Sequence, residues 1–275
     1  MKHTILFLAA LSVLSCSRSK SVVSTPPPAP APPVQVDHAA LLAAQGADAV
    51  VWQHASAEAY RIQQQAYELA RVRLNENLRN TDKRPPAVIV DIDETVLDNS
   101  PYQVNTAGQG HTYEQATWQA WTGMARAAAI PGSVKFLKEA RALGCRVFYI
   151  TNRDIREKAS TLKNLDSLGF PDVDEAHLLL MEGTSDKTER RARVAADHHV
   201  VLLIGDQLRD FDERFKDRSV RDGKDVVDAM SDTLMHYFIL LPNPMYGTYR
   251  DAIQGKGTDA EKLARMKVWF ENNGY

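Results

Sequence analysis

The run Ala87-Val88-Ile89-Val90 passes directly into Asp91-Ile92-Asp93-Glu94-Thr95-Val96, and this stretch decides how the chain is read. A short, continuous apolar run after Pro85-Pro86 has the pattern of a strand buried on both faces. Two carboxylates, one residue apart, stand where it ends. Such a pair suits phosphoryl transfer: one carboxylate attacks phosphorus and holds a cation, while the other handles the leaving-group proton. A D-x-D triplet is common by chance, so the reading depends on what stands at the ends of the other strands.

Four more apolar runs come after it, at 146–150, 177–181, 200–204 and 237–241. Helical spacing lies between them. Val134, Leu137, Ala140 and Leu143 precede Gly144, and Leu162, Leu165 and Leu168 lie between a capping Asp154 and Gly169. This alternation predicts an α/β fold, a doubly wound parallel sheet with right-handed crossovers. Upstream, Ala55, Ala59, Ile62, Ala66, Leu69 and Ala70 recur at helical steps opposite Glu58, Arg61, Gln64 and Arg71, with Gly46 separating a shorter first helix. An added helical layer is therefore expected on the sheet. The expected organisation is a signal peptide at 1–15, a tether at 16–36, a helical segment at 37–84 and the catalytic core at 85–275. An aromatic-rich insert at 99–130 is expected over the site.

In a parallel sheet, ligands bind beyond the carboxyl ends of the strands. The second run ends in Thr151-Asn152-Arg153, which supplies donors for phosphoryl oxygens. A short loop after the third reaches Ser185-Asp186-Lys187, which brings an ammonium. The fourth ends in Gly205-Asp206-Gln207-Leu208-Arg209-Asp210, with two more carboxylates, and the fifth in Leu241-Pro242-Asn243. Chance supplies any one of these, but complementary polar groups at the same end of successive strands point to one site.

The chain has 275 residues, a formal charge of −2 and 25% charged residues, with no long basic run. A nucleic acid polymer is excluded as a structural partner on that ground, whereas single nucleotides are not. Met1-Lys2-His3 followed by an apolar stretch from Ile5 to Leu14 is about half the length a bilayer span needs, and reads as a secretory signal. Ser15-Cys16 then resembles the lipobox of bacterial lipoproteins, with Cys16 as the lipidated residue. Ser17 does not match the aspartate that retains enteric lipoproteins in the inner membrane, so a lipid-anchored envelope protein of the outer membrane is expected. The tether carries Pro26-Pro27-Pro28, Pro30 and Pro32-Pro33, which cannot build a core. The second cysteine, Cys145, is expected to be a buried small hydrophobe, leaving no internal disulfide.

Taken in order, these motifs match the haloacid dehalogenase-like (HAD) superfamily. More closely, 91–99, 150–153, 205–211 and 241–247, with Trp52, Ser56-Ala57-Glu58 and Tyr60, resemble the class C acid phosphatases, the lipoprotein e(P4)-like 5′-nucleotidases. The resemblance spans about 50–253. It implies a HAD-like core and a phosphomonoesterase in which Asp91 becomes phosphorylated. Asp93 would protonate the leaving oxygen and then activate water, and its backbone carbonyl would bind the metal. Thr151 and Lys187 would hold phosphoryl oxygens, and Asp206 would complete a Mg²⁺ site with Asp91. Asp210 would either support that shell or orient Lys187.

Asn152 and Arg153 are expected to bind substrate. Among the aromatics, Trp118 and Tyr246 are expected to stack on a base or nicotinamide ring, while Tyr113 and Trp121 pack the insert against the helices. Glu94 and Asp98 read as supporting or capping groups. No histidine is assigned a catalytic role, and Arg190, Arg191 and Arg193 read as a solvated helix face. The expected substrates are nucleoside 5′-monophosphates or nicotinamide mononucleotide, and a homodimer is compatible with the family. A dehalogenase is disfavoured by Asp93 and Asp206. A phosphotransferase of the same fold, or a binding lipoprotein on an inactive scaffold, are the alternatives.

Overall fold

The computed structural model describes residues 36–80 and 82–274. The expected signal at 1–15 and nearly all of the tether at 16–36, Cys16 included, lie outside the described residues. The elements run α1 (His38–Ala44), α2 (Ala47–Ala55), α3 (Ala57–Asn77), β1 (Pro86–Val90), β2 (Leu97–Asp98), α4 (Ser100–Gly108), α5 (Gln115–Gly123), β3 (Ala128–Ala129), α6 (Ser133–Ala142), β4 (Arg146–Asp154) and α7 (Lys158–Ser167). They continue β5 (Leu178–Met181), α8 (Thr188–Asp197), β6 (His199–Gly205), α9 (Lys224–Ala229), α10 (Ser231–Tyr237), β7 (Phe238–Leu240), α11 (Thr248–Gln254) and α12 (Asp259–Asn273).

The five long apolar runs pair as one parallel sheet in the order β5-β4-β1-β6-β7, with β1 at its centre. The register sets Val90 beside Tyr149 and Ile204, so the carboxyl ends of the three inner strands lie together. Burial on both faces explains why these runs are continuously apolar. Val88, Val90, Val147, Tyr149, Leu202 and Ile204 face a large core shared with α3, α6 and α7, while Ala87, Ile89, Phe148 and Ile150 face a smaller one closed by Val194 of α8. Cys145 is fully buried, and burial pushes its thiol up to about 11, as suits a packing residue.

The expected helix ends hold at Gly144 and Gly169, whose backbones take the left-handed conformation that stops a helix (φ +92° and +75°). The upstream helices differ from expectation. The periodic stretch breaks at Ser56, which leaves α2 and caps α3 by accepting from Ala59 N at 3.0 Å. The buried stripe of α3 is Ala59, Gln63, Ala66, Tyr67, Ala70, Leu74 and Asn77, whereas Ile62 and Leu69 are exposed. Periodicity locates a stripe only to within a neighbouring row. Asn77 belongs to the inner row because it donates to the Val201 and His236 carbonyls (2.8 and 2.9 Å), which satisfies a polar group that would otherwise be costly to bury.

Among the described residues no helix is long and apolar enough to cross a membrane. The insert forms α4, α5 and a two-stranded ribbon of β2 and β3 that brackets it.

Candidate active site

Asp91 extends β1 by one step: its N–H donates to the Ile204 carbonyl at 2.9 Å, as a further rung of the ladder with β6. Its carboxylate is therefore held at the sheet's carboxyl edge. The chain then turns sharply. Glu94 adopts a left-handed backbone (φ +57°) and donates to Leu97 O, while Val96 returns to Ile92 O, both at 2.9 Å. Tyr67 of α3 supports the turn from below by donating to Thr95 O at 2.7 Å. Such a conformation is unfavourable for a side chain bearing Cβ and is held here by the surrounding contacts. The result is that Asp91 and Asp93 line one cavity.

Lys187, just before α8, is buried and ion-paired to Asp91 on one side and to Asp210 on the other, the latter at 2.7 Å. Asp210 thus pairs with Lys187 while standing among the carboxylates that face it, a place in keeping with both roles the sequence left open. Burial works against the Lys187 charge, but Asp210 and Asp91 outweigh it and hold the ammonium above its usual value. Carboxylate oxygens of Asp91, Asp206 and Asp210 also lie within 4.8 Å of one another. Three ionised carboxylates around one ammonium leave two uncompensated negative charges in a buried space. Burial pushes Asp91 well up, opposed by Lys187 and reinforced by Asp210, Asp206 and Asp93, while burial and then Asp210 push Asp206 up to about 7. The oxygen-only donor set and its charge excess both fit a hard divalent cation.

The fourth strand end is shaped to hold this cluster. Asp206 Oδ2 accepts from Asn243 Nδ2 (2.7 Å) and Gln207 Nε2 (3.0 Å), and Thr95 Oγ1 donates to Oδ1 at 3.3 Å. Asp210 Oδ2 accepts from Gln207 N at 2.9 Å. A Cβ on Gly205 would lie 2.5 Å from Asp210 Oδ2 and 2.6 Å from its Cβ, so only glycine lets Asp210 come this close. Gly205→Ala is expected to displace Asp210 and Lys187 and lower kcat at least about tenfold, with a stability cost of about 1–3 kcal/mol. Activity within twofold of the parent at unchanged Tm would contradict this packing argument.

At the end of β4 the sequence expectations are rearranged. Thr151 is fully buried, and its hydroxyl oxygen accepts from Arg153 N at 3.1 Å; the cavity wall here is Asn152 and Arg153. Arg153 is buried and forks onto Asp93, while Asn99 donates to the same carboxylate at 2.8 Å.

Arg190 and Arg191 correct the expectation of a solvated face. Arg190 is buried and donates to the Thr151 carbonyl (2.6 Å) and to Asn152 Oδ1 (2.8 Å), and Arg191 donates to the Asp210 carbonyl (3.0 Å). Arg190 ties α8 to β4 and Arg191 ties it to the loop after β6, each supplying a donor to a backbone carbonyl there. Arg193 does remain exposed. Glu94 is buried and accepts from Asn99 N at 3.0 Å. Burial, followed by the charges on Asp93 and Asp206, pushes it well up. Asp98 accepts from Ser100 N at 2.8 Å at the start of α4, as a capping group does.

The cavity holds about 540 Å³ and reaches from the carboxylates outward between the insert and the C-terminal helices. That is the size of a small-molecule site. Trp118 and Tyr246 line it, as expected, and so do His111 and the exposed Tyr113. Tyr113, in the loop before α5, is exposed and stands 6.3 Å from Trp118 rather than packing the insert against the helices, whereas α5 buries Trp121. Trp121 does pack as expected, donating to Asn99 Oδ1 at 2.8 Å. Sequence reasoning missed Asn99, Gln207 and Arg190 as holders of catalytic side chains, and it placed Asn243 at a strand end without its role on Asp206. Asn243 had a signal, since it stands directly beyond the fifth strand. It also missed the far wall, where α11 and α12 contribute Arg250, Gln254 and Lys262.

Comparison with known proteins places this geometry. The chain is similar to the class C acid phosphatase from Bacillus anthracis, with a TM-score of 0.79 and 34% identity over 85% of this chain and 98% of that one. The same Bacillus protein has also been solved with tungstate bound (TM-score 0.79, 33% identity, 86% of this chain and 98% of that one). Acid phosphatase 1 of Solanum lycopersicum is 29% identical over 167 residues, a match that covers 58% of this chain and only 57% of the tomato protein. The family model for the HAD superfamily, subfamily IIIB (acid phosphatase), matches residues 21–249. With a parallel sheet whose strand ends gather three carboxylates around one lysine, and with most of its length matched, this chain belongs to the subfamily IIIB acid phosphatases of the HAD superfamily.

Proposed function

We propose that the protein hydrolyses phosphomonoesters with Mg²⁺, through a phosphorylated Asp91, and that its preferred substrates carry a planar leaving group such as a nucleoside or nicotinamide riboside. The observation that carries the reading is the buried convergence of Asp91, Lys187, Asp206 and Asp210 beside Asp93. Asp91, Asp206 and Asp210 would hold the cation, which when bound supplies positive charge to an ester dianion that a bare carboxylate repels.

The chain's own groups do the rest. Asp91 presents an oxygen for attack, and the Lys187 ammonium paired with it favours the anionic form against the push of burial. Lys187 also offers its charge to the phosphoryl oxygens. Thr151, whose hydroxyl oxygen accepts from an amide, retains an O–H to donate to them. Asp93 gives a proton to the leaving oxygen, then takes one from the water that cleaves the acyl phosphate. A carboxylic acid as proton donor implies an acidic pH optimum. Tungstate, a tetrahedral oxyanion, is bound in a structure of the Bacillus relative, which supports oxyanion binding by this chain.

Trp118, Tyr113 and Tyr246 line the outer cavity and offer aromatic faces to a base. The N-terminal reading is part of the same proposal: lipidation at Cys16 would tether the enzyme to the outer membrane, facing small soluble phosphate esters.

The test is phosphate release from nucleoside monophosphates, nicotinamide mononucleotide and a small alkyl phosphate. The planar substrates are expected to show at least about tenfold higher kcat/KM, since one base-aromatic stack is worth roughly 1–3 kcal/mol. Equal rates on all three would remove the aromatic wall from the substrate argument, and no release from any would remove the enzyme assignment.

A further inference from the structure

Arg153 and Asp93 form an ion pair whose geometry is unequal between the two carboxylate oxygens. The Arg153 side chain is 1% exposed and that of Asp93 18%. Oδ1 of Asp93 accepts from Arg153 Nη2 at 2.7 Å, Arg153 Nε at 3.0 Å and Asn99 Nδ2 at 2.8 Å. Oδ2 has one long contact, 3.3 Å from Arg153 Nε. The guanidinium is itself fixed by donation from Nη1 to Thr161 Oγ1 at 3.1 Å, and Asn99 by the Trp121 indole at 2.8 Å. Trp118, on the cavity wall, has its ring centroid 5.9 Å from the guanidinium carbon. Three of the five guanidinium N–H groups are engaged in this way, Nε and one each on Nη1 and Nη2, so that a side chain which lines the cavity presents its fork to Asp93.

We infer that Arg153 is a positioning residue for proton donation and not a contact to the phosphoryl group. This rests on the acid phosphatase reading above. By saturating Oδ1, Arg153 and Asn99 fix the plane of the carboxyl group and leave Oδ2 as the oxygen that carries the proton. In the step concerned, a bond forms between an Asp91 oxygen and phosphorus as the phosphorus–ester oxygen bond breaks. The bonding pair goes to the ester oxygen, and that oxygen takes the proton from Asp93 Oδ2. The carboxylate left behind is neutralised at once by a guanidinium already in place, with no reorganisation of water. The arginine therefore matters in proportion to how much the leaving oxygen needs a proton. An alkoxide needs one, and a nitrophenolate leaves without it.

The experiment compares kcat/KM for glycerol 2-phosphate and p-nitrophenyl phosphate in the parent protein, Arg153→Ala, Arg153→Lys and Asp93→Asn. Because kcat/KM reports steps only through the first irreversible one, it isolates phosphoryl transfer from later hydrolysis of the acyl phosphate. Inhibition by inorganic phosphate measures oxyanion binding separately.

Both Arg153 variants are expected to lose at least about tenfold more on the alkyl ester than on the aryl ester, within the range of general acid catalysis. Asp93→Asn should show the same pattern, phosphate inhibition should stay within about threefold of the parent, and lysine should retain more activity than alanine. Equal losses on the two esters with weaker phosphate inhibition would overturn the proposal in favour of a substrate contact. Equal losses with unchanged inhibition would overturn it in favour of a purely structural role. Should Arg153→Ala fail to fold by circular dichroism, the ester ratio of Arg153→Lys decides on the same terms. A parent protein inactive on both esters would remove the underlying phosphatase reading as well.

Discussion

Asp91→Asn is expected to lower kcat/KM for every phosphomonoester by on the order of 10⁴-fold or more, the scale of losing a nucleophile that acts as part of a unit. The substitution is nearly isosteric and removes a formal charge from a cluster already overloaded with negative charge. Burial and the neighbouring carboxylates push Asp91 up against the pull of Lys187, which means its charge is held at a cost in the cation-free protein. The amide should therefore leave Tm unchanged or raise it while activity disappears. That opposite movement of stability and turnover distinguishes a lost nucleophile from a damaged fold. Residual activity above about 1% of the parent would show that another group attacks phosphorus.

Removing divalent metal with EDTA is expected to abolish activity, and restoring Mg²⁺ to recover it. The accompanying stability change should depend on pH in a direction fixed by Asp206. Its carboxyl is pushed up to about 7, by burial first and Asp210 second, whereas in the unfolded chain it titrates at about 3.9. Between these values the folded, cation-free protein binds more protons than the unfolded chain, so this group makes it less stable as pH rises through that window. A divalent cation relieves the repulsion and competes with the proton. The gain in Tm on adding Mg²⁺ should accordingly be larger near pH 8 than near pH 5.5. A gain of the same size at both values would place the cation away from Asp206, and full activity in EDTA would discard the metal assignment altogether.

Several residues were legible in one dimension because their positions are dictated by strand chemistry. A buried parallel strand must be apolar along its length, so its last residue announces itself, and Asp91, Asp206 and Asn243 are polar groups standing where apolar runs stop. Lys187 lies farther from its strand, yet the short loop that leads to it after the third run carried the same message. What one dimension hid were the partners. Arg190 looked like one of several solvated arginines, since a helix shows its buried row only once the neighbouring strand ends are known. Ile62 and Leu69 looked like core and are exposed for the same reason, because the inner row of α3 is chosen by carbonyls on β6 and α10 that Asn77 satisfies.

The chain's order of apolar runs and polar strand ends determined by itself that this is a parallel α/β phosphoryl-transfer fold with Asp91 and Asp93 at its centre. Those features are local, since they depend on hydrophobic period and on the residues immediately after each strand. Only the tertiary structure decided that Asp210 grips Lys187, that Arg153 turns to Asp93, and that α11 and α12 close the far wall of the cavity. The first two pair residues far apart in the chain through charges that choose their partners by distance after folding, the third brings distant helices to one cavity, and distance is not written in sequence order.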